Sequence, residues 1–464
     1  MLRRYIGDRA FYKKVLMIAI PIIIQNGITN FVSLLDNVMV GQLDGNAMSG
    51  VAVANQLIFV FNICIFGAAS GAGIFTAQFH GNRDHEGVRH TFRFKILICT
   101  LVAMLGCTIF LLWGEDLLML FMEGKEDPTD AALTMAFGQD YLGIMLLGLL
   151  PFALNYSYSS TLRESGQTVV PMVAGVSAVM TNLVGNYLLI FGKLGLPAMG
   201  VRGAAWATVL SRYVELAIVA IWTHRHSQRH PFIKGAYRSI HIPGKLLGGI
   251  ARKGLPLLAN EFFWAVGMAF VAQCYSTRSG ALEAVSIADT ISKLSSVVYM
   301  ALGNSVGIIM GQLMGSGAPA REVRDTNRKT IALAVMAGTV FALLLTAAAP
   351  FFPKLYPEVS GSIQWVATTL IWACALSLPF NAYNHSSYFT LRSGGQTFVT
   401  FLFDSGFVMA VNVPLAFVLS RFTGVSIFWI YGACHCSEML KTVLGFWMLR
   451  KGKWIRNLTL DGDA

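Results

Sequence analysis

The chain is 464 residues long, 55% hydrophobic and only 13% charged, well below the roughly 25% charge of an ordinary soluble domain. That excludes a soluble enzyme and points to a protein threaded many times through a bilayer. The formal charge of +11 is spread over short segments between apolar runs, with no groove or stripe suited to nucleic acid, and reads as the Lys and Arg excess that membrane proteins keep on the cytoplasmic side.

The N-terminal MLRRYIGDRAFYKK is basic and runs into a full-length apolar span without a small-residue cleavage site, so a retained first helix is expected and not a signal peptide. A helix needs about 20 apolar residues to cross the hydrocarbon core. Twelve such stretches are predicted, near 15–42, 51–79, 92–114, 136–161, 169–191, 200–222, 249–277, 283–312, 329–350, 363–390, 397–420 and 425–449. The first carries two residues that a lipid-facing helix avoids. Pro21 removes a backbone donor and bends the helix, and Asp36 is a carboxylate costly enough in hydrocarbon to mark an ion or proton path. The helix from Lys14 to Asp36 covers about 33 Å at 1.5 Å per residue, which places the acid toward the outer end of the span.

On the fifth span Asn182 and Asn186 are four apart and share one helical face. Their amides can hydrogen-bond a protonated acid or offer oxygens to sodium. Glu261 and Asp404 are isolated acids on the seventh and eleventh spans, Glu261 following Pro256 as Asn26 follows Pro21. Asp289 and Lys293, four apart on the eighth span, are spaced to pair with each other or to face a substrate; Arg212 with Glu215, and Glu438 with Lys441, are spaced for internal neutralisation. His385 is a lone membrane histidine, a candidate proton relay; with Asp289 and Lys293 it completes the expected substrate-cavity set. The seven cysteines fall in or beside apolar runs, where disulfides are not expected, and the adjacent Cys434, His435 and Cys436 point in different directions on one helix, unsuited to a metal. There is no Walker loop, dinucleotide turn or HExxH motif, so no cofactor and no enzymatic activity are expected.

With both termini inside, most of the 35 Lys and Arg residues collect at the termini and in the joints 80–91, 162–168, 223–248, 313–328 and 391–396, while the third-to-fourth joint is acidic. Cytoplasmic termini and an even number of spans follow. The chain also repeats itself. Residues 46–81 lie over 280–315 without a gap at an offset of 234, pairing Gln78 with Gln312 and Gly81 with Gly315. NYSYSSTLRESGQT (155–168) lies over NHSSYFTLRSGGQT (384–397) at an offset of 229, and Glu215 meets Glu438. Each pair sits six spans apart, so the copies share one orientation in the membrane. The expected fold is an all-α integral membrane protein of twelve transmembrane helices in two six-helix lobes related by a parallel internal repeat: 1–222, a linker at 223–248, and 249–464.

In this layout the sequence resembles the multidrug and toxic compound extrusion (MATE) transporters. The resemblance is carried by Pro21 with Asp36 on the first helix, by Gln78/Gly81 and Gln312/Gly315 ending the second and eighth, and by TLRESGQT and TLRSGGQT. Asn182-x-x-x-Asn186-Tyr and Gly203-Ala-Ala-x-Ala-Thr208 complete it. It implies a coupling-cation site centred on Asp36 with Asn155, Asn182, Asn186 and Thr208, and Pro21 as hinge. A sodium ion, where that is the coupling ion, is expected at Asp36, Asn182 and Asn186. Several relatives carry a second acid where this chain has Asn186, which leaves one formal negative charge there. The sodium-coupled branch uses an acid on the seventh helix, which brings Glu261, and with it Asp404, among the cation-binding candidates. The expectation is a monomeric secondary antiporter of the plasma membrane that exports amphipathic, cationic organic compounds against inward H+ or Na+. The alternatives are a flippase for a lipid-linked precursor, which shares the six-plus-six fold, and a membrane-embedded enzyme, which would show a clustered catalytic constellation.

Overall fold

The computed structural model describes residues 5–43, 45–120, 128–278, 281–356 and 359–460; part of the acidic third-to-fourth joint, residues 121–127, lies outside them. Among the described residues the structure is helices and the joints between them. In chain order these are α1 (Arg9–Gly41), α2 (Gly45–Gly81), α3 (His85–Met119) and α4, which runs from Pro128–Met145 through a 3-10 turn, Leu146–Gly148, into Leu149–Glu164. Then come α5 (Val169–Phe191), α6 (Val201–Arg225), α7 (Gly244–Tyr275), α8 (Ala281–Gly315), α9 (Ala320–Ala348), α10 (Gly361–Ser393), α11 (Thr397–Phe422) and α12 (Ile427–Lys451).

Eleven of these are long and apolar enough to cross a membrane; α12 is the exception. His435, Glu438 and Lys441 lie in the middle of α12 and lower its hydropathy. Every predicted stretch falls on one helix, and several helices continue past it. α9 begins at Ala320, because AREVRDTNRK is charged yet helical. Hydropathy reads the part of a helix that meets hydrocarbon, not the turns that stand in water.

The repeat is visible in the backbone. α4 ends on TLRESGQT with Gly166 at φ 80° and α10 on TLRSGGQT with Gly395 at φ 74°. In each case the glycine N–H donates to the arginine carbonyl three residues back at 2.9 Å, and the next glutamine N–H reaches back to a leucine carbonyl, Gln167 to Leu162 at 2.8 Å and Gln396 to Leu391 at 3.1 Å. Only a left-handed residue closes a helix with this pair of bonds, which is why glycine stands at both sites.

The Gln-x-x-Gly ends of α2 and α8 pack on each other reciprocally. A Cβ on Gly81 would lie 2.0 Å from the Gln312 carbonyl oxygen, and one on Gly315 would lie 2.0 Å from that of Gln78. Small residues let two membrane helices approach to backbone contact. The Gln78 side chain also fastens the C-terminal tail: its Nε2 donates to the carbonyls of Ser393 (2.8 Å) and Arg456 (3.2 Å), and its Oε1 accepts from Leu458 N–H at 2.7 Å.

The chain divides into two compact units. One comprises Met1–Ile23, Ala77–Arg83 and Gly248–Ala464; the other comprises Ile24–Thr76 and Asp84–Leu247. In the first, Val15, Ile18 and Ile22 of α1 pack against Ala301, Ile309 and Met310 of α8, and a second core gathers Ile287, Leu370, Ile430 and Tyr431. In the second, Val51, Leu57, Leu118, Leu142, Ile190 and Val209 form the main core. The 223–248 segment folds onto this second unit as far as Leu247. Arg93 of α3 donates to the carbonyls of Gly235 and Ala236, both at 2.8 Å, and Phe232, Ile233 and Ala236 are buried. Lys95, fully buried on α3, pairs with Glu164 at the end of α4 and donates to Thr161 Oγ1 at 3.2 Å.

Candidate functional site

In the second unit, α1, α5 and α6 converge on Asp36. The 3.6-residue period turns Asn182 and Asn186 to one side of α5, and both are buried there, 6% and 1% exposed, against a half-buried Asp36. Asn186 Nδ2 donates to Asp36 Oδ1 at 2.6 Å. The Asn182 amide faces both carboxylate oxygens. With its nitrogen turned toward Asp36, it donates at 2.8 and 2.9 Å while its oxygen accepts from Thr208 Oγ1 at 3.1 Å. An amide can turn over without moving its helix. Asn186 Oδ1 is buried with no hydrogen-bond partner, so one acceptor stands ready beside the carboxylate. The cluster thus holds one acid, two amides and a hydroxyl, with a single formal charge.

Asn155, grouped with these residues by resemblance, is engaged elsewhere: its Oδ1 accepts from Ser159 Oγ at 3.2 Å. Pro21 sits inside α1 without interrupting it.

The remaining candidates belong to the first unit. Asp404 lies on a stretch of α11 wound in π turns, Leu402–Gly406 and Val408–Asn412, a form that recurs at functional sites. Lys441 Nζ donates to Asp404 Oδ1 at 2.8 Å and lies 3.8 Å from Glu438 Oε2. Asn260 Nδ2 donates to Asp404 Oδ2 at 3.2 Å, and Asn260 Oδ1 accepts from Ser405 N–H at 3.2 Å. Asn384 Nδ2 donates to Glu438 Oε2 at 2.9 Å and its Oδ1 accepts from Thr442 Oγ1 at 2.9 Å. Glu261, beside Asn260, is half-buried, with Arg392 and Asp404 among the charges acting on it. The His385 ring lies 5.1 Å from the Tyr299 ring and is tilted 45° to it. Asp289 accepts from Tyr431 Oη at 3.1 Å, and Lys293 is exposed.

Sequence spacing had suggested Lys441 for Glu438, its neighbour on α12; the closer partner is Asp404 on another helix. Asn260 and Asn384 were not singled out as site residues. Asn384 carried a signal, since the repeat sets it opposite Asn155.

The MatE family profile matches residues 21–188 and again 257–418. The chain belongs to the MatE family. The double match follows the two copies of the repeat, and the family is one of membrane transporters. This MatE chain is 23% identical over 461 residues to the probable multidrug resistance protein NorM of Thermotoga maritima, covering 97% of this chain and 95% of the relative. It is 24% identical over 426 residues to the multidrug resistance protein PmpM of Pseudomonas aeruginosa, covering 90% and 86%. A solved outward-facing multidrug resistance MATE transporter of the MOP superfamily superposes with a TM-score of 0.86 at 18% identity, over 98% of both chains. A MOP-superfamily transporter from Pyrococcus furiosus gives 0.85 at 19%, also over 98% of both. At these identities the structures establish the fold alone.

Proposed function

We propose that this MatE chain is a secondary antiporter that exports small amphipathic, cationic organic compounds in exchange for protons, with Asp36 as the coupling carboxylate. The multidrug resistance relatives support the substrate class. The observation that carries the coupling role is the Asp36 cluster, a lone membrane carboxylate held by two buried amides. A carboxylate in hydrocarbon is costly unless its oxygens are bonded, and here amide N–H groups bond them. Protonation removes the charge that those donors hold in place, so the amides turn or release, and α1 is free to take a second position relative to α5 and α6. A ligand shifts such an equilibrium only by its unequal affinity for the two states, and a proton has that property here. A sodium ion would need the amide oxygens where the nitrogens now face, with Asn186 Oδ1 the one buried acceptor free. The termini and the 223–248 segment lie on the cytoplasmic side, and the protein acts as a monomer in the plasma membrane.

The test is transport of a cationic dye in proteoliposomes driven by a pH gradient alone, then by a sodium gradient alone. The expected result is transport under the pH gradient, abolished by Asp36→Asn. Undiminished gradient-driven transport by Asp36→Asn would refute the assignment.

A further inference from the structure

Among the charge differences between the two copies of the repeat, one involves two groups that touch. An Asn and a Glu stand at matching positions in both: Asn155 and Glu215 in one unit, and in the other Asn384, which donates to Glu438. Carried forward from the TLRESGQT and TLRSGGQT motifs, the offset of 229 sets Gly175 opposite Asp404; the offset of 223 that joins Glu215 to Glu438 sets Ile218 opposite Lys441. The acid and the lysine are therefore present together in one copy and absent together from the other, and they are the two groups in contact, at 2.8 Å.

Lys441 is placed as a bound cation would be. Its Nζ lies between Asp404 Oδ1 and Glu438 Oε2 and 5.4 Å from the centre of the Phe403 ring, and its side chain is 8% exposed. The other Asp404 oxygen is taken by Asn260 Nδ2, and Glu438 Oε2 by Asn384 Nδ2. Two carboxylates in a low-dielectric interior need a positive charge beside them, and one ammonium serves both.

We propose that Lys441 is a built-in cation: it fills the pocket formed by Asp404 and Glu438, keeps exchangeable sodium out of this unit, and on removal uncovers a sodium site built from those carboxylate oxygens. Carboxylate oxygens are donors for hard cations, and sodium carries the same single positive charge as the ammonium it would replace. The inference deepens the antiport reading and rests on it for its consequence, that the exchangeable ion is left to Asp36; the geometry of the pocket does not depend on it.

Binding of radiolabelled sodium to purified full-length protein, at a pH well above the carboxylate range and with choline as the replacement cation, tests the proposal. Lys441→Met is expected to bind about one more sodium per chain than the unaltered protein, as mass action at a single added site requires. Lys441→Arg, which keeps a tethered positive charge, gains none, and adding Asp404→Asn to Lys441→Met removes the gain. A folded Lys441→Met protein that binds no extra sodium overturns the proposal. If Lys441→Met does not fold, Asp404→Asn alone decides: unchanged sodium binding is the expected result, and loss of a bound sodium overturns it. Because the readout is the difference made at Lys441, sodium bound at Asp36 would refute proton coupling and leave this result separate.

Discussion

At the scale of single residues, the Asp36 cluster ranks its members by what each bond is worth. Asp36→Asn removes the charge and is expected to abolish coupled transport. Asn186→Leu removes the donor at 2.6 Å; a hydrogen bond to a charged group contributes about 1.5–3 kcal/mol, so a loss of transport on the order of 10- to 100-fold is expected. Thr208→Val acts through Asn182, a neutral bond of about 1 kcal/mol, and should cost only severalfold. Initial rates of dye efflux at matched expression test this order, and a Thr208→Val defect larger than that of Asn186→Leu would contradict it. A second residue-scale case is structural. Lys95 is fully buried against Glu164, so Lys95→Met takes the ammonium away from that carboxylate and should destabilise by about 3–5 kcal/mol. The double variant Lys95→Met/Glu164→Met, which removes both charges, should recover most of that loss in thermal unfolding in detergent. Among these residues the face shared by Asn182 and Asn186 was legible from their spacing, and Thr208 from family resemblance. The Asp404–Lys441 contact was not, because the partners are 37 positions apart on different helices and spacing along one helix says nothing about which helix lies opposite.

At the scale of elements, α1 is a continuous helix with a proline inside it. Its residues up to Ile23 belong to one compact unit and those from Ile24 to the other, so Pro21 stands two residues before that boundary. Proline removes a backbone bond and its ring crowds the preceding turn, which makes this the softest place along α1. Pro21→Ala restores the bond; the expected outcome is equal or greater thermal stability with slower transport, and unchanged transport at equal expression would show that α1 does not bend there. The α2–α8 crossing is the opposite kind of contact, rigid and closely fitted. Gly315→Ala puts a methyl 2.0 Å from the Gln78 carbonyl oxygen, inside any allowed contact, and should lower stability by about 3 kcal/mol or more. Gly361→Ala, where an added methyl meets nothing within 4 Å, should change stability by less than about 0.5 kcal/mol. Detergent melting curves of the two variants side by side make the comparison. That glycines mark this crossing could be read from the repeat. That Gln78 also ties down the C-terminal tail could not, since Leu458 lies 380 positions away.

At the scale of the whole molecule, hydropathy located the helices because lipid leaves few ways to satisfy a backbone, and helices are the one open to this composition. The repeat ordered them into equivalent sets. The bounds of the compact units were less accessible: the 223–248 segment reads as a polar joint, yet Phe232, Ile233 and Ala236 are buried and arginines on α3 hold its carbonyls. The same segment supplies the last test. On the proposed topology twelve crossings return the chain to the side on which it began, the cytoplasmic side by the rule that basic residues stay inside. Reporter fusions after Lys451 and within 226–230 are therefore expected to show cytoplasmic activity. A reporter inserted at 193–199, between α5 and α6, should be active only on the outer face. Opposite signals from the first two positions would mean that α12, which fails the hydropathy test through His435, Glu438 and Lys441, does not cross. Its polar side chains, bonded to Asp404 and Asn384 within the first unit, argue that it does, since a helix whose charges are met by its neighbours does not need water to hold them.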